Sequence, residues 1–106
     1  MQMPAQDDFF DDFEAYKPGS DIVGQGGWEV WYTGGEHAIV SDDTASSGAD
    51  SMKAHSLSDI VQRFTAEDGK WRFSVMTYVP SNPEVVGDGY VILMNQYQTP
   101  TDNWSV

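Results

Sequence analysis

The sequence predicts an all-β chain folded as an antiparallel sandwich or jelly roll. Three observations lead there. Apolar residues recur with period two in the longest patterned stretches, which is the signature of a strand. The patterned stretches are short and are divided by Gly-rich turns: Gly24-Gln25-Gly26-Gly27, Gly34-Gly35, Ala45-Ser46-Ser47-Gly48 and Glu67-Asp68-Gly69. Helical spacing is confined to Ser56–Phe64, where Leu57, Ile60, Val61 and Phe64 fit a helix too short to anchor a helical fold. Many short strands with turn residues between them belong to sandwiches and jelly rolls.

In chain order, strands are expected at Phe9–Phe13, Trp28–Tyr32, Ala38–Val40, Ser51–His55 and Ile60–Thr65, with the first six residues a flexible lead-in. The clearest strand is Trp71–Val79. Trp71, Phe73, Val75, Thr77 and Val79 fall on one face and Arg72, Ser74, Met76 and Tyr78 on the other, so Trp71 is expected in the core. Pro80-Ser81-Asn82-Pro83 stops it. Gly87-Asp88-Gly89 turns the chain into Tyr90–Tyr97, which is apolar on both faces through Met94 and so reads as a central strand. Asn103-Trp104-Ser105-Val106 reads as a strand just starting, so the domain is expected to continue past Val106 and the sandwich to be incomplete as given.

Size and charge bound the function. The chain has 106 residues, 17 acidic against 5 basic, for a net charge of -12. That balance excludes nucleic acid as a partner, because phosphate binding needs clustered Lys and Arg. The charge is uneven: residues 1–50 carry -10 and residues 51–106 carry -2. Cysteine is absent, which removes disulfides, thiolate nucleophiles and cysteine-zinc sites. With 40% hydrophobic residues and 13% aromatics, the chain can still bury a core. No window is long and apolar enough to insert in a membrane, and Met1–Gln6 lacks the basic and apolar regions of a signal peptide.

A run of signals in fixed order resembles a known group. Asp12-Phe13-Glu14 is followed by Lys17-Pro18-Gly19-Ser20 and by Gly26-Gly27-Trp28. Then come Ala45-Ser46-Ser47-Gly48-Ala49-Asp50-Ser51-Met52-Lys53 and Gly69-Lys70-Trp71-Arg72-Phe73-Ser74. This progression resembles the opening half of bacterial β-jelly-roll domains of the laminin-G/concanavalin-like lectin group, and is similar to that of many jelly-roll carbohydrate-binding modules. The resemblance implies an extracellular or surface-exposed module that binds glycan. It also implies a structural calcium near the first strand, ligated by Glu14 and by the backbone carbonyl of Lys53.

The residues carry two candidate sites. Asp7, Asp8, Asp11, Asp12 and Glu14 supply the hard oxygen atoms that Ca²⁺ prefers, and in a strand Asp12 and Glu14 would share a face. A solvated acidic edge that keeps the strand soluble is the alternative. Asp42 and Asp43 form a second oxygen-rich spot, which turn chemistry explains better than a metal does. For sugar stacking the candidates are Trp31, Tyr32, Tyr97 and Trp104, with the amides of Asn95 and Gln96 positioned for hydroxyl groups. Trp28 and Trp31 are an odd number of residues apart, so in a strand one faces the core and the other away.

Catalysis finds no support. The paired-carboxylate pattern of jelly-roll glycosidases is missing, and His37 and His55 have no spacing that unites them with Arg63 or Arg72. The expected function is a non-catalytic carbohydrate-binding module. The alternative is a structural subunit, such as a virion surface or decoration protein, that meets a protein surface or further copies through open sheet edges.

Overall fold

The computed structural model describes residues 9–31, 34–64, 69–82, 89–98 and 103–105. Among these there is no helix, and the strands are short and antiparallel. They are β1 (Trp28–Val30), β2 (Ile39–Ser41), β3 (Ser51–Lys53), β4 (Ile60–Gln62), β5 (Gln96–Gln98) and β6 (Asn103–Ser105). They form three two-stranded sheets: β1 with β4, β2 with β3, and β5 with β6. The all-β expectation therefore holds for the described chain. The first four strands fall inside stretches where alternation and flanking turns expect them, apart from Ser41 at the end of β2.

The core is built where β2 has partners on both sides. One neighbour is β3, in the register Ile39↔Lys53, Val40↔Met52 and Ser41↔Ser51. The other is the irregular segment from Gly19 to Ile22. There Val40 N–H donates to Ser20 O at 2.9 Å, Gly19 N–H to Val40 O at 2.7 Å and Ile22 N–H to Ala38 O at 3.0 Å. With the backbone satisfied on both edges, Val40 can be fully buried beside Ile22 and Ala38. Trp28 from β1, Ile60 from β4, Met52 from β3, Phe13 and Tyr16 pack around that cluster.

The strand expected at Phe9–Phe13 is not formed. Asp11 Oδ1 accepts the Phe13 N–H at 2.8 Å and Asp12 Oδ1 accepts the Glu14 N–H at 3.1 Å, so two ladder donors are captured locally. Phe13 is held at φ 67°, a left-handed conformation incompatible with a strand. The same Asp11 carboxylate reaches further. Its Oδ2 accepts the Tyr16 hydroxyl at 2.6 Å and the Trp28 indole N–H at 2.8 Å, which ties the N-terminal loop to β1. Gly26, at φ 58°, completes the arrangement: a Cβ there would lie 1.8 Å from the Tyr16 hydroxyl oxygen.

The two longest expected strands differ most. Residues 70–82 and 89–94 run without turn, bend or ladder, and β5 occupies only the end of Tyr90–Tyr97. Trp71, expected in the core, is 40% exposed. Alternation marks which residues share a face, but a strand also needs a neighbour in register to form a ladder, and among the described residues neither segment is part of one. The expected lead-in at 1–6, the Tyr32 end of the first Trp strand, the Pro83 stop and the Gly87-Asp88 turn lie outside the described residues.

Removing the Asp11 carboxylate would leave the Tyr16 hydroxyl and the Trp28 indole N–H without their acceptor. Asp11→Ala is expected to cost about 2–3 kcal/mol in urea unfolding, whereas Asp12→Ala, whose single bond is exposed, should cost under about 1 kcal/mol. Equal losses at the two positions would refute the anchoring role of Asp11.

Candidate functional site

The structure brings two of the expected sugar-stacking residues together. Trp31 follows β1, and its N–H donates to Asp59 O at 2.8 Å, extending the β1–β4 pairing by one step. Tyr97 lies in β5. Their ring centroids are 4.9 Å apart with the planes at 52°. The Arg63 guanidinium carbon sits 4.7 Å from the centre of the Tyr97 ring, within cation–π range. Arg63 Nε in turn donates to Glu29 Oε2 at 2.6 Å. A carboxylate, a guanidinium and two half-buried rings thus form one continuous cluster at the solvent boundary. The aromatic ends of such a cluster offer an apolar face, and its charged end offers donors and an acceptor.

Sequence reasoning weighed Arg63 only as a catalytic group and passed over Glu29. The usable signal is local. Glu29 in β1 pairs in register with Val61, so the chain just past β4 lies within reach of its side chain.

Beside this cluster lies an open groove of about 300 Å³, lined by Gly34, Gly35, Glu36, Leu57, Ser58 and Asp59. Asp59 connects the two features, because its carbonyl receives the Trp31 N–H. Two bonds shape the far wall: Asp59 N–H donates to Glu36 O at 3.0 Å and Ser58 Oγ to His37 O at 2.8 Å.

The remaining sugar candidates are placed differently. Gln96 is exposed, and strand alternation sends it to the face opposite Tyr97. Asn95 closes the end of the β5–β6 pair: its N–H donates to Ser105 O at 3.0 Å, and its Oδ1 accepts the Ser105 hydroxyl. Trp104 is the backbone partner of Tyr97 in the register. Tyr32 lies outside the described residues. Trp28 and Trp31 do part company, as their odd spacing requires: Trp28 packs on Phe9 and Phe13, and Trp31 on Tyr97.

Of the residues expected at the calcium site, Glu14 and Asp12 accept backbone N–H groups, and the contact of Lys53 is made by its side chain, not by the carbonyl expected to ligate. Glu14 Oε1 accepts the backbone N–H groups of Ala49 at 2.8 Å and Asp50 at 2.6 Å, holding the Ser/Gly turn against the N-terminal loop. Gly48 permits this, since a Cβ there would meet the Glu14 carboxylate at 2.5 Å. Asp12 caps the Glu14 N–H, and Lys53 Nζ pairs with Asp43 Oδ2 at 2.7 Å. Among the described residues, no three His, Asp or Glu side chains are grouped to hold a metal ion.

Electrostatics distinguish the acids. The Lys53 ammonium holds the Asp43 carboxyl below its ordinary value, with help from the Ser41 hydroxyl. Asp21, hydrogen-bonded to His37 Nδ1 at 2.6 Å, is also lowered. Burial, then the Asp11 carboxylate, pushes the Tyr16 hydroxyl up to about 12. Asp50 runs the other way: burial first, then the charges of Glu14 and Asp42, raise its carboxyl.

No protein-family model, curated protein or solved structure matches this chain. Among the described residues no helix is long and apolar enough to cross a membrane.

Because the folded state raises the Asp50 pKa, it favours the protonated carboxyl, and ionisation above the ordinary carboxylate range works against folding. Asp50→Asn is therefore expected to raise the urea midpoint at pH 7. The gain should shrink as pH falls, because Asp50 itself then takes up a proton. A variant less stable than the parent at pH 7 would mean that the ionised form is required, as a bound cation would require it.

Proposed function

We propose that the chain is a non-catalytic, surface-exposed β-module of jelly-roll type that binds carbohydrate through the Trp31–Tyr97 cluster. One observation carries the reading: the two rings, 4.9 Å apart and far separated in sequence, meet at the solvent boundary beside a paired Arg63 and Glu29. A pyranose presents C–H groups on its ring faces and hydroxyls around its edge. The rings suit the former, and the guanidinium and carboxylate suit the latter. The adjoining groove, with Glu36, Ser58 and Asp59 in its lining, continues the polar surface along one side of Trp31. Neutral and cationic glycans fit a chain of net charge -12 better than sulfated or uronic ones.

Isothermal titration against neutral, cationic and anionic glycans tests the proposal. Heat is expected with a neutral or cationic member, and Trp31→Ala and Tyr97→Ala should each weaken that binding roughly tenfold, the scale of a lost stacking contact. Circular dichroism of each variant separates lost binding from lost folding. An absence of heat across the whole panel would overturn the reading.

A further inference from the structure

The groove beside Trp31 joins two unlike stretches of chain. One is the turn His55–Ser58, closed by the Ser58 N–H donating to His55 O at 3.0 Å and the His55 N–H donating to Ser58 Oγ at 2.9 Å. Leu57 holds the third position of that turn at φ 73°, a place that favours glycine. Its side chain is nevertheless 80% exposed in the groove lining. The backbone there carries left-handed strain while an apolar group faces water, a combination that core packing does not explain.

The other stretch is Gly34-Gly35-Glu36, joined to the turn by a parallel bridge between Glu36 and Ser58. Gly34 and Gly35 add no side chain to the lining, so a ligand can approach the backbone closely. Glu36 differs from the other acids of the first half. Asp11, Asp12, Glu14, Asp21 and Asp43 each accept a hydrogen bond within the fold. Among the described residues nothing engages the Glu36 carboxylate, and no Lys or Arg lines the groove.

We infer that this groove is the subsite for an amino sugar, with Glu36 pairing the protonated amine and Leu57 packing on the C–H face of the ring. The inference rests on the glycan-binding reading and narrows it to glycans that carry a free amine. Size, charge and position select that unit. At about 300 Å³ the groove lies at the low end of the ~300–1,000 Å³ range of ligand sites, which suits a single ring. An exposed carboxylate with no internal cation gains a charge-assisted hydrogen bond from an ammonium group, and the chain's net charge of -12 draws cations toward it. Because Asp59 O receives the Trp31 N–H, groove and rings adjoin, so one sugar unit can stack on the rings while a neighbouring unit enters the groove.

Isothermal titration of the full chain with a glucosamine hexamer and with its N-acetylated counterpart tests this, at mildly acidic pH where the free amines are charged. The glucosamine hexamer is expected to bind at least about fivefold tighter at low salt, with the difference shrinking as salt screens the pair. Glu36→Gln should cancel that preference and leave binding of the N-acetylated hexamer unchanged. Leu57→Gly relieves the strained φ, so it should weaken both ligands about threefold without lowering the urea midpoint. Equal affinity for the two hexamers, heat from neutral glycans alone, a preference that survives Glu36→Gln, or unchanged affinity in Leu57→Gly would each overturn the inference and leave the glycan reading standing. An absence of heat with every glycan would overturn both.

Discussion

The Asp11 carboxylate is the constraint on which the folded part of this molecule depends. One oxygen fixes the Phe13 N–H, and the other holds Tyr16 and Trp28, joining a loop to a strand 17 residues away. Through Trp28 it orients β1 against the cluster of Ile22, Ala38 and Val40. That cluster is small, so apolar burial alone gives a modest gain against the cost of ordering the chain. Charge-assisted hydrogen bonds from a partly buried carboxylate supply geometric definition that so few apolar contacts would leave loose.

The acids of the first half consequently act as acceptors within the fold. Asp11 and Asp12 capture backbone donors of their own loop, and Asp21 holds the Val23 N–H and His37. Glu14 binds the N–H groups of Ala49 and Asp50, tying a turn 35 residues distant onto the same loop. A backbone rich in turns leaves many N–H groups without ladder partners, and short acidic side chains are well suited to satisfy them. The concentration of charge in residues 1–50 thus has a structural explanation. Asp50, raised by burial and by its acidic neighbours, marks where that strategy meets like-charge repulsion.

Much of the folded half was legible from sequence. Trp28, Ala38, Ser51 and Ile60 open or adjoin the observed strands because turn residues bracket short β-prone runs there. The pairing of those strands was not legible, since a ladder depends on which segments the core brings together. Trp71–Val79 shows the limit most clearly: its alternation is the best in the chain, yet its residues are exposed and unladdered. The candidate site divides in the same way. Residue type and odd spacing separated Trp31 from Trp28 and placed Tyr97 among four ring candidates. Arg63 and Glu29 joined them through a register that no local pattern encodes.

By itself, the sequence determined the all-β class, the uneven charge and a set of four ring candidates that includes Trp31 and Tyr97. These follow from properties of single residues and near neighbours: side-chain periodicity, glycine's access to positive φ, and composition. Only the tertiary structure decided that acidic side chains serve the backbone, that Trp31 and Tyr97 meet over Arg63, and that residues 71–79 face outward. Each of those depends on contacts between segments distant in the chain, and such contacts are set by where backbone groups find partners.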